Sequence, residues 1–336
     1  MNLKQNFNDK NINTDKTQNE VLVSVIMSTY NEDISILCLA IDSIINQSYK
    51  NIQFIIVNDN PLRRDLKELL DSYSEKDSRI FPIINEKNIG LAASLNKAIN
   101  QSNGKYIARM DADDISMPER IQIQVEYLEA HSGCSLVCGN KIDINEKGEK
   151  RSNGRRFFCK DENIIRIMKF GSIIIHPTVM IRKDVIQSLN GYRLLPSEDY
   201  DLWLRFFYNG YSAHIMNDYL IYYRIREDGI SISDYSKQYF SSKFELEEFK
   251  NGYISNNYIK GYEDFLLKNK ALKPNRVKRI NNTYRIISNR NKDNIISSII
   301  QISTHCILCH EVSRLVFRVF LQKIVRKRYL IEVKNE

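Results

Sequence analysis

Three carboxylates stand within four positions at Asp111, Asp113 and Asp114, directly after an apolar run that predicts a strand over residues 105–110. Carboxylates this close repel one another, and a divalent cation with oxygen ligands, such as Mn²⁺ or Mg²⁺, relieves that repulsion. Pro118 stands where a helix is expected to start, because its fixed φ and missing N–H suit a first helical turn. The cluster predicts a metal site at the carboxyl end of a strand, with helix capping by Asp113 or Asp114 as the alternative.

Polar groups also follow two other predicted strands and open a later helix. Residues 28–32 follow the first strand, residues 58–61 follow the second, and residues 197–201 open a predicted helix. The alternative is that Thr29 in the first group, and Ser197 and Asp199 in the last, do no more than cap helices. As an ordered set with the three acids, these groups indicate a ligand site at one edge of an open α/β sheet.

From residue 21 onward, short apolar runs alternate with helical periodicity, a pattern that predicts βαβ units and a largely parallel sheet. We expect strands over residues 21–28, 52–57, 79–84, 105–110, 135–140, 172–181, 211–216 and 219–226. Helices are expected between the first four strands, after Pro118 and over residues 200–208. Gly104 is expected to cap the third helix at its C-terminus.

Composition limits the class of protein. The chain has 336 residues, 43% of them hydrophobic, enough for a substantial core. Lys and Arg exceed Asp and Glu by 49 to 41, a modest excess that gives a net charge of +8. No recognised nucleic-acid module accompanies this charge, so we expect no nucleic-acid partner.

The six cysteines are too sparse for a disulfide scaffold and predict reduced thiols in a cytoplasmic protein. Cys306 and Cys309 lack the second Cys-x-x-Cys pair that a tetrahedral metal site would need. The sequence shows neither a signal peptide nor a run of about 20 apolar residues that could span a membrane.

The ordered polar groups and their surroundings resemble the family 2 glycosyltransferases, which are inverting enzymes of the GT-A fold. The resemblance is carried by residues 23–32 (VSVIMSTYNE), 88–96 (NIGLAASLN) and 198–205 (EDYDLWLR), and it extends over about residues 21–230. It implies a Rossmann-like α/β fold with a mixed, mainly parallel sheet flanked by helices. It also implies sugar transfer from a nucleoside-diphosphate sugar, expected to be a UDP-sugar, to a glycan or lipid-linked acceptor in surface polysaccharide biosynthesis.

The resemblance implies roles for the donor-side residues. A cation held by Asp113 would bridge the donor's phosphate oxygens and stabilise the leaving diphosphate, with Asp111 at the ribose or at a metal-bound water. Asp59 is implied to accept a hydrogen bond from the imide N–H of a uracil-type base. Thr29, Tyr30 and Glu32 would complete the base and ribose pocket. The family usually carries Asp-Asp-Gly/Ala-Ser around Asp59, whereas this chain has Asn-Asp-Asn-Pro at residues 58–61.

Inverting transfer also needs a base that takes the proton of the attacking acceptor hydroxyl. Asp199 resembles the family's base position, and Glu198 and Asp201 are the neighbours that compete for this role. Arg205 on the same helix could face the phosphates or pair with an acid. His176, in a predicted apolar strand, could line the acceptor side or simply pack in the core.

Two other functions stay open from the sequence. A sugar-nucleotide nucleotidyltransferase would also use metal-bound acids, but it should carry a glycine-rich loop after the first strand, and residues 28–31 contain no glycine. A non-catalytic nucleotide-sugar-binding module would not require Asp59, Asp113 and Asp199 together.

We expect four regions along the chain. These are a disordered tail over residues 1–20, a nucleotide-sugar-binding half over 21–115, an acceptor-binding half over 116–230 and a helical C-terminal extension over 231–336. Residues 311–330 mix bulky apolar residues with six basic ones and predict an amphipathic helix. This helix could lie on an anionic membrane surface, or it could pack its apolar face on the catalytic domain.

Overall fold

The computed structural model describes residues 20–151, 156–159, 161–226, 235–253, 257–288, 302–307 and 309–333. The predicted N-terminal tail, apart from Glu20, and the predicted boundary at residue 231 lie outside these ranges. The strands are β1 Val23–Thr29, β2 Ile52–Asn58, β3 Ile80–Ile84, β4 Tyr106–Asp111, β5 Ile115–Ser116, β6 Leu136–Ile144, β7 Arg156–Cys159, β8 Met180–Arg182, β9 Ala213–Arg224 and β10 Leu330–Val333. The helices are α1 Ile34–Ile45, α2 Arg64–Lys76, α3 Leu91–Gln101, α4 Arg120–Ala130, α5 Asp161–Met168, α6 Lys183–Ser188, α7 Glu198–Tyr208, α8 Tyr235–Lys250, α9 Tyr258–Lys268, α10 Pro274–Ser288 and α11 His310–Tyr329.

The strands form a mixed sheet in the order β10-β7-β9-β6-β8-β4-β1-β2-β3, with β5 paired to β9. The half that contains β3, β2, β1 and β4 is parallel, and β8 and β7 introduce antiparallel pairs into the other half. The predicted α/β fold with a mixed sheet is therefore confirmed.

Helices cover both faces of the sheet, which explains why β1 and β2 read as nearly continuous apolar runs. Ile26 of β1 packs into a core with α3, α5, α6 and α7, while its neighbours Val25 and Met27 pack into a second core with α1, α2 and α4. The alternation of strand side chains between two faces places each strand's backbone in the middle layer.

Several local predictions are wrong at their boundaries. The strand expected over residues 172–181 is interrupted by a 3-10 turn at His176–Thr178, and the only strand in this stretch is β8. Pro177 lies in this turn because its ring fixes φ and it has no N–H to donate to a sheet. The two strands expected over 211–216 and 219–226 are one strand, β9, which runs parallel to β6 with register shifts.

Gly104 does not cap α3, whose C-cap is Ser102. A Cβ atom at position 104 would lie 2.4 Å from the backbone nitrogen of Ser24. The glycine is needed for the close approach of the α3–β4 connection to β1.

The C-terminal helices pack onto the α/β unit and onto one another. A third core joins Phe240 and Phe244 of α8 to Phe265 of α9, Ile280 of α10 and Leu315 of α11. After α11 the chain adds β10 to the sheet, antiparallel to β7. In the described ranges, no helix combines the length and the apolar character needed to cross a bilayer.

Candidate active site

Sheet register brings the predicted polar groups together. Thr29 at the end of β1 lies opposite Asn58 of β2, and Ser28 lies opposite Asp111 of β4. Because parallel strands end at the same edge, the residues that follow β1, β2 and β4 share one edge of the sheet, as the sequence predicts.

The three acids form the cluster expected from their spacing. Asp111, Asp113 and Asp114 each offer a carboxylate oxygen within 4.8 Å of the other two. Burial, followed by the charges of Asp111 and Glu32, raises the pKa of Asp113 to about 7. Burial and the two neighbouring carboxylates raise the pKa of Asp114 well above its usual range. A divalent cation would offset this repulsion, so the donor set fits Mn²⁺ or Mg²⁺.

Asp114 is tied to β9 and does not cap a helix. Its Oδ1 accepts a hydrogen bond from the backbone N–H of Arg224 at 2.8 Å, while its buried Oδ2 lacks a hydrogen-bond partner among the described residues. The N-cap of α4 is Glu119, and a two-residue strand, β5, separates the cluster from that helix. The capping interpretation of Asp113 and Asp114 is therefore wrong.

Arg109 lies beneath the cluster, two residues before its first acid. Its guanidinium is 4% exposed and forms an ion pair with Asp111. The positive charge of Arg109 lowers the pKa of Asp113 and Asp114, although burial and the neighbouring acids dominate both shifts. The sequence does not predict a role for Arg109, since a single arginine within a predicted strand is not part of a recognisable motif.

The end of β1 forms a polar turn. The hydroxyl of Thr29 donates to Glu32 Oε2 at 2.7 Å, and the backbone N–H of Tyr30 donates to the same oxygen at 2.8 Å. The N-cap of α1 is Asp33, which accepts from the N–H of Ser35. Thr29 is therefore not a helix cap, and the Tyr30 ring stands 46% exposed beside the turn.

Asp59 is the centre of a ring of donors. Its Oδ1 accepts from the side-chain amide of Asn85 and from the N–H of Ile89, both at 2.8 Å. Its Oδ2 accepts from the N–H of Gly90 at 2.8 Å. Gly90 has a φ of 85°, which favours glycine and aims this N–H at the carboxylate. The segment after residue 87 thus wraps Asp59, a contact that sequence reasoning did not predict.

Glu198 and Asp199 begin α7 and are partly buried. Burial, followed by the charge of Asp199, raises the pKa of Glu198 to about 8. Burial raises the pKa of Asp199 as well, and the charges of Arg109 and Asp111 act on it in opposite directions. Both acids of α7 are thus within electrostatic reach of the Asp111 cluster.

The other polar residues of this helix have structural contacts. Ser197 makes no side-chain cap hydrogen bond and instead donates to Glu245 of α8. Asp201 is fully buried and forms an ion pair with Arg205, at 2.7 Å between Oδ2 and Nε. Arg205 also donates to the carbonyls of Leu189 and Gly191. Of the two roles considered for Arg205, the structure therefore shows pairing with an acid, Asp201.

His176 is a core residue in this structure. Its Nε2 lies 2.7 Å from the hydroxyl of Tyr192, and its ring meets Trp203 edge-on at 5.8 Å between centroids. Burial lowers the pKa of His176 well below its usual range, so the ring stays neutral.

Three comparisons relate this chain to known proteins. The model of glycosyl transferase family 2 matches residues 24–189. The chain is 37% identical over 227 residues to the uncharacterized glycosyltransferase MJ1057 of Methanocaldococcus jannaschii, and the match covers 67% of this chain and 78% of that relative. It is also 36% identical over 186 residues to the O-antigen biosynthesis glycosyltransferase WbnJ of Escherichia coli, and this match covers 55% of this chain and 71% of WbnJ.

Among solved structures, TarS 1-349 of S. aureus, determined in complex with UDP-GlcNAc, superposes with a TM-score of 0.58 at 16% identity. The match covers 84% of this chain and 80% of that chain and shows that the two share a fold. The extent and identity of the match to MJ1057 show that this chain belongs to glycosyl transferase family 2. It is a glycosyltransferase of the GT-A fold.

Proposed function

We propose that this enzyme transfers a sugar, with inversion, from a UDP-sugar to a glycan or lipid-linked acceptor in surface polysaccharide biosynthesis. The observation that carries the proposal is the shared edge of the sheet where the acid cluster, the Asp59 ring and the polar turn at the end of β1 meet. The acids of α7 lie within electrostatic reach of this edge. The relative WbnJ acts in O-antigen biosynthesis, and the matching TarS structure holds UDP-GlcNAc, which support the polysaccharide and donor parts of the proposal.

The side chains that follow β1, β2 and β4 bind the donor in this reaction. Thr29, Tyr30 and Glu32 line the nucleoside pocket, and Asp59 accepts from the base. Asp113, with Asp111 beside it, holds Mn²⁺ or Mg²⁺, which when bound supplies Lewis-acid stabilisation for the departing diphosphate.

The transfer itself is a single displacement at the anomeric carbon. Asp199 takes the proton of the acceptor hydroxyl, whose oxygen attacks on the side opposite the leaving UDP. The glycosidic bond of the donor breaks as the new bond forms, so the anomeric configuration inverts.

The nucleotide preference follows from Asp59. Its Oδ2 accepts one hydrogen bond, from Gly90, which leaves a lone pair for the base. Uracil offers an N–H at N3, whereas cytosine offers a lone pair that the carboxylate repels. We expect UDP to bind at least about tenfold more tightly than CDP in the presence of Mn²⁺, the usual cost of a lost buried hydrogen bond.

Calorimetry with UDP, CDP and a panel of UDP-sugars, with and without Mn²⁺, measures this preference. A protein that binds none of these nucleotides would contradict the proposed donor class. NMR of the product from the preferred UDP-sugar gives the anomeric configuration, and retention would contradict inversion.

The exposed side chains of α11 support the proposal that the acceptor lies at a membrane surface. One face of the helix packs through Val312 and Leu315 into the core that the C-terminal helices form with one another. The outward face still exposes Phe317, Phe320 and Ile324 by 47–60%. Four exposed basic residues lie among them: Arg314, Lys323, Lys327 and Arg328. Exposed apolar side chains within a basic face suit the headgroup region of an anionic leaflet.

Vesicle sedimentation tests this surface with the full-length protein. We expect binding to phosphatidylglycerol vesicles and little binding to phosphatidylcholine vesicles. Replacement of both Phe317 and Phe320 by Ser should lower the affinity for phosphatidylglycerol vesicles about tenfold or more, because the burial of each phenyl ring stabilises the bound state. Leu39→Ser on α1, which is 49% exposed, is the matched control. Undiminished binding of the double variant would remove α11 as the membrane contact.

A further inference from the structure

The start of α7, which carries Glu198 and Asp199, is held from outside the α/β unit by the helical extension. The hydroxyl of Ser197, immediately before this pair, donates to Glu245 Oε1 of α8 at 2.7 Å. The hydroxyl of Ser241, one turn before Glu245, donates to the same oxygen at 2.6 Å. One buried acid of the extension thus binds one serine on each side of the interface between α7 and α8.

The chain just before Ser197 has further contacts with the extension. The N–H of Leu194 donates to the hydroxyl of Tyr258 at 3.1 Å. The guanidinium of Arg193 lies over the rings of Tyr253 and Tyr258, at 5.4 and 4.9 Å from their centroids. The segment that leads to the α7 acids is therefore fixed by several elements of the extension.

We propose that Glu245 is a positioning residue for the transfer reaction, which acts through Ser197 to fix the first turn of α7 and so the carboxylate of Asp199. This inference rests on the proposed role of Asp199 as the base. It gives the extension a part in catalysis that is independent of any membrane contact.

The local geometry explains how Ser197 transmits this constraint. Ser197 is the N-cap residue of α7, and its carbonyl accepts the first helical hydrogen bond, from Asp201 at 3.1 Å. A serine at this position ordinarily turns its hydroxyl toward the free N–H groups of its own helix. Here Glu245 holds the hydroxyl away from them. Without Glu245, the hydroxyl would be free to cap the helix, and the turn that carries Asp199 would shift.

The charge of Glu245 is not what the contact requires. Burial, followed by the charge of Asp201, raises the pKa of Glu245 well above its usual range, and Oε2 is a buried atom for which the described residues provide no hydrogen-bond partner. Toward its two serines the side chain acts as a hydrogen-bond acceptor through Oε1, a role that an uncharged carbonyl oxygen can also fill. Glutamine, which keeps the carbonyl acceptor at nearly the same size, should replace it.

The two serines give a matched pair of variants. Ser197→Ala and Ser241→Ala each remove one hydrogen bond to Glu245 Oε1, and only the first breaks the link to the α7 acids. We expect Ser197→Ala to lower kcat for transfer about tenfold with the donor KM unchanged, because a small misplacement of a reacting group is costly. Ser241→Ala should transfer within about twofold of the wild-type rate, since the hydrogen bond between Ser197 and Glu245 stays in place.

Substitution of Glu245 itself provides the rescue test. Glu245→Leu should lower kcat as Ser197→Ala does, whereas Glu245→Gln should keep kcat near the wild-type value. Circular dichroism and UDP affinity, measured for each full-length variant, identify any variant that has lost its fold. If Glu245→Leu does not fold, the pair of serine variants still decides the matter.

Equal kcat values for Ser197→Ala and Ser241→Ala would overturn the inference, and so would a Glu245→Gln variant as slow as Glu245→Leu. The failure of the proposed function gives a different result. In that case Asp199→Asn would transfer at the wild-type rate, whatever the serine variants do.

Discussion

Replacement of Asp199 by Asn should slow sugar transfer by at least about 100-fold while UDP-sugar affinity stays near normal. The amide cannot take the proton of the acceptor hydroxyl, and the loss of a general base typically costs a factor of this size. The donor-binding groups follow β1, β2 and β4, on elements other than α7, so the substitution leaves them in place. Single-turnover transfer rates and calorimetric donor affinities, measured on the same preparations, check the two halves of this expectation.

Glu198→Gln is the informative companion variant, because Glu198 neighbours Asp199 and has a raised pKa of its own. A larger loss in Glu198→Gln than in Asp199→Asn would assign the base to Glu198. Wild-type transfer by Asp199→Asn would remove Asp199 from the mechanism.

The pH dependence has a definite sign. The base must be ionised to accept a proton, and burial raises the pKa of Asp199 above its ordinary value. The rate of transfer should therefore rise with pH, with an acidic limb above the pH range of an ordinary Asp. This limb should be missing in the residual activity of Asp199→Asn.

The sequence predicts the parts of this site that depend on strand ends. Asp111, Asp113 and the residues after β1 and β2 follow apolar runs whose period is easy to recognise, and parallel pairing then requires them to meet. The α/β fold follows from the same alternation of elements.

Contacts between residues distant in sequence are not recorded in any local pattern. Nothing in the sequence around Asn85 indicates that its amide binds Asp59, 26 positions away, or that Glu245 binds Ser197, 48 positions away. The strand expected around His176 is wrong for a local reason, since Pro177 turns the chain where the apolar residues continue. The apolar residues of this stretch correctly predict that it is buried, but they do not predict that its backbone forms a turn.

Replacement of Asp113 by Asn should abolish Mn²⁺ binding and lower kcat/KM for transfer about 100-fold or more. A Lewis acid on the leaving diphosphate contributes several kcal/mol to the transition state, and each ~1.4 kcal/mol is a factor of ten in rate. Chelation of the wild-type enzyme with EDTA should have an equal effect, which added Mn²⁺ reverses. Asp71→Asn is the matched control, because Asp71 is an exposed acid of α2 paired with Lys67.

Thermal unfolding separates metal binding from catalysis in this variant. Because Asp111 and Asp114 repel Asp113, its replacement by a neutral amide should not lower the unfolding midpoint of the metal-free protein. Mn²⁺ should raise the midpoint of the wild-type enzyme and of Asp71→Asn, since a ligand that binds only the folded state stabilises it. It should leave the midpoint of Asp113→Asn unchanged. The opposite result is an unfolding midpoint of the wild-type protein that does not change when Mn²⁺ or Mg²⁺ is added in the presence of UDP. It would mean that the three carboxylates reduce their repulsion by sharing protons, as the raised pKa of Asp113 permits, and not by binding a cation.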